Sequence, residues 1–289
     1  MIIIRTLRFL LVALVLTSAA RAQLSTTLRL SKVQYLAGEP VIAVLTITNH
    51  AGRQLTFDND GRSQWLNFAL KDNHGALVTL KGQNTFGRMS IQAGETMARE
   101  INLSDYYQLN DPGSFSVEAY VHLPGSKDEG SPSNRISFTQ GIGFPYWSQK
   151  VGISGKSEQI REFRILNFSG NQKVQIYAQI IECRTGQNVR TFLLGDVMMM
   201  RKPLATVDRT QRLHVMFLAT PTMWVHCQID TDGKVVSREI HQRGTQGDPQ
   251  LITFADGTVR VGNSIPYNQK AAAEAKSKIR KASDRPNFN

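Results

Sequence analysis

Apolar and polar residues alternate with a period of two over the first half of the chain. In the clearest run the apolar side chains share one face, at Phe115, Val117, Ala119 and Val121. Similar short runs, separated by glycine, proline and asparagine turns, recur between residues 24 and 141. This alternation predicts half-buried antiparallel strands. About seven of them in this length fit an immunoglobulin-like (Ig-like) sandwich.

The alternation continues in the second half, after a stretch rich in glycine and aromatic residues at 141–155. Strands with short turns favour a meander, which leaves open a barrel, a second sandwich or a few propeller-like blades. The Asp-Gly turns at Asp232 and Asp256 are 24 residues apart. A blade repeat takes about 40 residues. The spacing therefore favours a compact β-domain over a propeller.

Both ends of the chain differ from this β pattern. Residues 1–22 carry Arg5 and Arg8, then a short apolar run, then a small-residue cleavage site at 20–22. These features predict a cleaved export signal, because a membrane span needs about 20 apolar residues. Residues 268–281 have the spacing of a short helix, with Glu274 and Lys278 as a favourable pair.

The chain is therefore predicted to be all-β, apart from a short C-terminal helix. Its expected parts are an export signal at 1–22, an Ig-like sandwich at 23–142, a second antiparallel β-domain at 143–267 and a basic tail at 268–289. The mature protein is expected in the periplasm or secreted.

The formal charge of +11 is unevenly distributed. About half of the excess outside the export signal lies from Lys270 onward. We interpret this tail as a solvated, solubilising segment, with weak contact to an anionic surface as the alternative. No nucleic-acid partner is expected for an exported protein.

Several segments of the first half resemble bacterial and macroglobulin-type Ig-like domains. They are Gly38-Glu39-Pro40-Val41, Ala93-Gly94-Glu95-Thr96, Leu103-Ser104-Asp105-Tyr106-Tyr107 and Pro112-Gly113-Ser114-Phe115. The later segments are also similar to the Ig-like domains that precede deuterolysin-type metalloendopeptidases, and to small bacterial proteinase-inhibitor domains. The resemblance implies a fold and not an activity. The peptidase motif His-Glu-x-x-His is absent from the sequence.

Two cysteines admit two interpretations. Cys227 shares its face with apolar residues and is expected in the core, whereas Cys183 has the opposite parity. In an oxidising compartment they could form a disulfide. Strand parity favours two buried free thiols.

The histidines of the second half, His214, His226 and His241, are candidates for metal binding. His214 and His226 both lie opposite the apolar parity of their strands, so they would share an outer face if the strands pair. With Glu239 or Asp230 they could bind zinc or copper. Their spacing does not require a metal, so surface histidines are preferred, and no metal or cofactor is predicted. Asp230 and Asp232 are interpreted as a hairpin turn and not as a calcium loop.

Three tryptophans are candidates for binding. Trp224 shares its face with His226 and Gln228, a strip that would suit a sugar ring or a partner protein. Trp65 and Trp147 are the other two. Exposed aromatic residues often mark contact surfaces. The preferred alternative is that the other domain covers them.

The sequence contains no complete catalytic motif of the kinds considered. The sequence lacks a nucleophile elbow and a complete phosphate-binding loop. The favoured function is an exported, non-catalytic binding or scaffold protein, with a protein or polysaccharide partner outside the cytoplasm. One alternative is a proteinase inhibitor with a projecting loop at 123–134. Another is a hydrolase around Trp224, His226 and Glu239. The oligomeric state is left open.

Overall fold

The computed structural model describes residues 23–59, 64–82, 86–125, 130–170, 173–268 and 274. These residues are almost entirely β, which confirms the predicted fold class. Within the described ranges, none of the helices is long and apolar enough to cross a membrane. Internal contacts divide the chain into two units, Met1–Ile142 and Gly143–Asn289. The export signal and all of the tail after residue 268 except Glu274 lie outside the described residues, so both stay predictions.

The first unit is a sandwich of two sheets. Its ten strands are β1 (Leu24–Leu30), β2 (Gln34–Leu36), β3 (Ile42–Asn49), β4 (Leu55–Phe57), β5 (Leu66–Asp72), β6 (Met89–Ile91), β7 (Thr96–Asn102), β8 (Gly113–Val121), β9 (Ser131–Pro132) and β10 (Ile136–Gly141). One sheet has the order β1-β3-β7 and the other β2-β10-β8-β5, with β9 beside β8 and a separate β4-β6 pair. This corresponds to the A-B-E and G-F-C sheets of an Ig-like sandwich, with β2 added parallel to β10.

The inward side chains of both sheets form one core. Leu45 and Ile47 of β3 pack with Leu66 of β5 and Val117 of β8 in a single cluster. The short helix α1 (Leu103–Tyr106) lies at its edge and starts with Asn102, whose side chain accepts from the Ser104 amide. Asn102 is therefore the N-cap of this helix.

The second unit consists of two successive meanders. The first is a four-stranded antiparallel sheet, β11 (Phe144–Ile153), β12 (Lys156–Gly170), β13 (Lys173–Glu182) and β14 (Asn188–Asp196). The second contains β15 (Leu204–Val207), β16 (Leu213–Thr220), β17 (Met223–Ile229), β18 (Val235–Arg243) and β21 (Ser264–Pro266). Between β18 and β21 lies a separate hairpin, β19 (Gln250–Thr253) and β20 (Val259–Gly262).

The arrangement of these sheets is propeller-like, so the spacing argument against blades was misleading. Asp232-Gly233 connects β17 to β18 inside the five-stranded sheet, whereas Asp256-Gly257 turns the separate β19–β20 hairpin. The 24-residue interval therefore compares two turns that are not equivalent.

Both faces of the five-stranded sheet are covered. Its inner face packs against β12 and β13 and consists of Leu213, Val215, Phe217, Val225, Cys227 and Ile229. Its outer face includes Met216, Leu218 and Trp224, against which Leu251 and Val261 of the hairpin pack. Six successive residues of β16, Leu213 to Leu218, are consequently buried. The candidate site lies on this covered outer face.

Candidate metal centre

Three histidines lie on the outer face of the five-stranded sheet, one on each of three adjacent strands. They are His214 on β16, His226 on β17 and His241 on β18. The register places His226 directly opposite Glu239, and His214 and His241 are diagonal neighbours of His226. Because side chains of a strand alternate between faces, this register brings all four to one side of the sheet.

All three histidines are buried, with 2%, 2% and 4% of their surface exposed. The prediction of surface histidines was therefore wrong. Period-two alternation identified the right face, but that face is buried, and the β19–β20 hairpin packs against its apolar part at Met216, Leu218 and Trp224. Of the two acids proposed as their partner, the structure selects Glu239. Asp230 instead accepts hydrogen bonds from the amides of Asp232 and Lys234 in the β17–β18 turn, as the hairpin interpretation predicted.

A chain of polar contacts runs from Asp208 through two of the rings. Asp208 Oδ2 lies 3.1 Å from His214 Nε2, and His214 Nδ1 lies 3.1 Å from His226 Nε2. The two rings are stacked, with centroids 5.2 Å apart. Burial opposes ionisation of Asp208, but hydrogen bonds from Arg212, Thr210 and His214 together hold the pKa of its carboxyl below the usual value. Asp208 is therefore a carboxylate at neutral pH.

At the other end of this chain two ring nitrogens have no hydrogen-bond partner. They are His226 Nδ1 and His241 Nε2, and both atoms are buried. They face the Glu239 carboxylate, at 4.0 Å and 3.4 Å from Oε2 respectively. The other nitrogen of His241 lies 3.2 Å from the Ser264 hydroxyl. The side chain of Glu239 is 54% exposed, so the group is open to solvent on the carboxylate side.

The surroundings of His226 favour its neutral form. Burial, with the neighbouring His214 and His241, lowers the pKa of His226 to about 4. A neutral imidazole with a free lone pair is the form that binds a metal ion. His226 is therefore ready to act as a ligand at neutral pH without first losing a proton.

The three atoms fit a transition-metal ion. His226, Glu239 and His241 each offer one ligand atom, and these atoms lie within 4.8 Å of one another. Ligand atoms of a tetrahedral zinc site, at about 2.0–2.1 Å from the ion, are roughly 3.3 Å apart. The observed separations from the carboxylate oxygen, 3.4 Å and 4.0 Å, are close to that value, and the two ring nitrogens are at most 4.8 Å apart. Two imidazoles and one carboxylate would leave a fourth position open.

The predicted tryptophans do not form an exposed strip. Trp224 and Trp65 are each only 4% exposed, and Trp147 is half-buried against the core of the second unit. Trp65 donates its indole N–H to the Phe86 carbonyl inside the first core. Trp224 lies beneath the β19–β20 hairpin, so each of these two tryptophans is covered by residues of its own unit. The alternative of exposed aromatic contact surfaces at Trp65 and Trp224 is therefore not realised.

Both cysteines are free thiols. Cys227 lies on the inner face, as its parity predicted, where burial raises the pKa of its thiol. Cys183 is partly exposed in the turn after β13. The disulfide alternative is not realised, because Cys227 points into the core between the sheets and Cys183 lies at the end of a strand.

The described part of the predicted inhibitory loop is held against the sandwich. Ser131–Pro132 forms β9 beside β8. The Asn134 side chain accepts from the Leu28 amide and donates to the Leu28 carbonyl. This half of the 123–134 segment therefore does not project, while residues 126–129, with Lys127, lie outside the described residues.

Sequence reasoning named His226, Glu239 and His241 but did not place His241 on the face of the other two, and it gave no role to Asp208. The first omission was avoidable, because Glu239 and His241 are two apart on one strand and must share a face. Asp208 gave no comparable signal, since it lies in the turn before β16 where strand parity does not apply.

No protein-family model matches the chain, and a search of curated proteins found no match.

Proposed function

We propose that this chain is an exported, non-catalytic binding protein whose second unit binds one divalent transition-metal ion, with zinc as the best fit. The ligands are His226, Glu239 and His241. The proposal depends chiefly on one observation: two buried imidazole nitrogens without hydrogen-bond partners converge on one carboxylate.

The electrostatics of this group favour a cation. A buried polar atom without a partner costs about 1–3 kcal/mol, and here two such atoms face a carboxylate. A metal ion would satisfy both nitrogens and the carboxylate at once. Such an ion requires a neutral imidazole, and burial lowers the pKa of His226 and so favours that form.

The cysteine that follows His226 in sequence does not form a catalytic pair with it. Cys227 follows His226 in sequence, but the thiol lies on the inner face of the sheet and the imidazole on the outer face. They cannot act as a nucleophile–base pair. The pattern of residues 1–22 supports export to the periplasm or medium, where a protein or polysaccharide partner is proposed.

Metal titration of the full mature chain tests this proposal. After treatment with a chelator and its removal, calorimetric titration should show one zinc ion bound per chain. The variant Glu239→Gln keeps the size of the side chain and should weaken zinc binding at least about tenfold. Its matched control is Glu158→Gln, which changes another exposed acid of the same unit and should bind zinc as the unaltered protein does. Absence of stoichiometric binding, or equal affinity in Glu239→Gln, would refute the proposal.

A second candidate function is metal-dependent hydrolysis. It is favoured by the fourth coordination position, which an ion held by His226, Glu239 and His241 would leave open. A water bound to zinc ionises near neutral pH. Zinc-loaded protein would be incubated with ester, phosphoester and peptide reporters. Turnover lost in Glu239→Gln would replace the binding proposal with a hydrolase, and no turnover above that variant would remove this candidate.

A further inference from the structure

We propose that Asp208 and His214 are positioning residues that fix the tautomer of His226. They keep the proton of His226 on Nε2, so that the lone pair on Nδ1 points toward Glu239. The inference rests on the proposed metal centre for its purpose, but the tautomer itself is a property of the metal-free protein.

The first step is the orientation of the Asp208 carboxylate. Its Oδ1 accepts three hydrogen bonds, from the Thr210 amide, the Thr210 hydroxyl and the Arg212 amide, at 2.8, 2.8 and 3.0 Å. These bonds leave Oδ2 directed at His214 Nε2, 3.1 Å away. Because a carboxylate only accepts hydrogen bonds, Nε2 of His214 carries a proton.

The second step is that the proton on His214 Nε2 determines which nitrogen of His226 is protonated. With a single ring proton, on Nε2, His214 has a lone pair on Nδ1, and this atom lies 3.1 Å from His226 Nε2. The contact needs one proton, which His226 must supply from Nε2. A neutral His226 has no second ring proton, so its Nδ1 is a bare acceptor.

The distance to Glu239 supports the same assignment independently. If His214 were the donor, His226 would carry its proton on Nδ1, where it would form a hydrogen bond to the carboxylate. Such a bond has a length of about 2.7–3.2 Å, whereas Nδ1 and Oε2 are 4.0 Å apart. This separation suits two acceptors that face the same space.

The hydrogen bonds from Asp208 through His214 to His226 form a relay. The structure supplies a variant that reverses this relay with little change of shape. In Asp208→Asn, three donors already point at the Oδ1 position, so the amide oxygen takes that place. The amide nitrogen then faces His214 Nε2 and donates to it. His214 must carry its proton on Nδ1 and donate to His226, whose own proton moves to Nδ1 and occupies the metal position.

Nitrogen NMR of the full chain labelled with ¹⁵N-histidine measures the tautomer directly, in the presence of a chelator. We expect His226 of the unaltered protein to have a protonated Nε2 and an unprotonated Nδ1, and the two signals to exchange roles in Asp208→Asn. Zinc affinity of the variant should fall about 10- to 100-fold. The control is Asp230→Asn, which changes an aspartate with similar turn hydrogen bonds at the β17–β18 hairpin and should alter neither quantity.

The two measurements separate this inference from the proposed function. If His226 has the stated tautomer and the variant reverses it, the relay is supported even when zinc does not bind, and only the metal proposal fails. If zinc binds but Asp208→Asn changes neither tautomer nor affinity, the relay is refuted and the metal proposal stands. A proton on Nδ1 of His226 in the unaltered protein would overturn the relay without any variant, so the test does not depend on the variant's folding.

Discussion

The two faces of the five-stranded sheet in the second unit are built from the same strands but have different chemistry. The inner face presents Val215, Phe217 and Val225 to the neighbouring sheet. The outer face presents His214 and His226, which are equally buried. Burial alone therefore does not decide what a face contributes. The inner face supplies apolar area, whereas the outer face holds polar groups that only partly satisfy one another.

The two faces contribute to the stability of the fold with opposite signs. Complete burial of a large apolar side chain contributes about 1.5–3 kcal/mol to stability. On the outer face, the unpartnered nitrogens of His226 and His241 each cost about 1–3 kcal/mol. Such local conflicts between stability and chemistry are typical of functional sites, and the outer face is the only part of the described β15–β18 sheet where two of them converge on one acid.

The largest expected effect comes from opening the inner face. Phe217→Ala removes a fully buried ring between the two meanders and should lower the free energy of unfolding of the second unit by about 3–5 kcal/mol. Urea denaturation followed by tryptophan fluorescence measures this, because Trp147 and Trp224 report on the second unit. Phe254→Ala, at a 46% exposed position on the hairpin side, should cost about 0.5 kcal/mol or less. Equal losses in the two variants would contradict the role given to the inner face.

A smaller effect is expected when the outer face is protonated in the absence of metal. The pKa of His226 is about 4 in the folded protein and 6.5 in the reference state, with burial as the main cause. Between these values the unfolded chain binds a proton that the folded chain does not. Stability contributed by His226 is therefore present above about pH 7 and is lost as the pH falls toward 4, by about 3 kcal/mol.

The groups that face His226 are His214, His241 and Glu239, and Asp208 acts through His214. Urea midpoints measured in chelator from pH 7.5 to pH 4.5 test the prediction. His226→Gln should flatten the pH dependence, and His50→Gln, at an exposed position of the first unit, should not. An equally steep loss in His226→Gln would assign the effect to other groups.

The sequence was sufficient to predict the all-β fold class and the individual strands, because strand parity and turn residues are local signals. Phe115 to Val121 alternate as predicted and lie in β8, and Asp232-Gly233 forms the predicted turn. Whether another element packs over the second face of a sheet is not indicated by the local sequence. The period-two alternation correctly placed Val225 and Trp224 on opposite faces of the sheet. Nothing near them in sequence indicated that Leu251 and Val261 would pack over the outer face.

The candidate site shows the same limit. Parity placed His214 and His226 on one face, and the antiparallel register then determined that His226 meets Glu239. That register depends on the length of the β17–β18 turn, which the sequence indicated, and on a bulge near Ile229, which it did not. Asp208 reaches His214 from a turn, where no periodic rule predicts direction.

The smallest expected effect is that of Glu239→Gln on the stability of the metal-free protein. It shows whether the Glu239 carboxylate stabilises the fold or is kept for binding. In metal-free protein, Glu239→Gln replaces an acceptor by an amide that can donate to His226 Nδ1 or His241 Nε2, both of which lack a hydrogen-bond partner. We expect stability in chelator to be unchanged or to rise by up to about 1 kcal/mol. Urea midpoints of the two proteins, measured side by side at pH 7.5, provide the comparison. A loss of more than about 1 kcal/mol would mean that the carboxylate already accepts a hydrogen bond from one of the rings. A neutral or positive result would mean that the acid is retained at a cost to the folded state, as a residue kept for a bound cation should be.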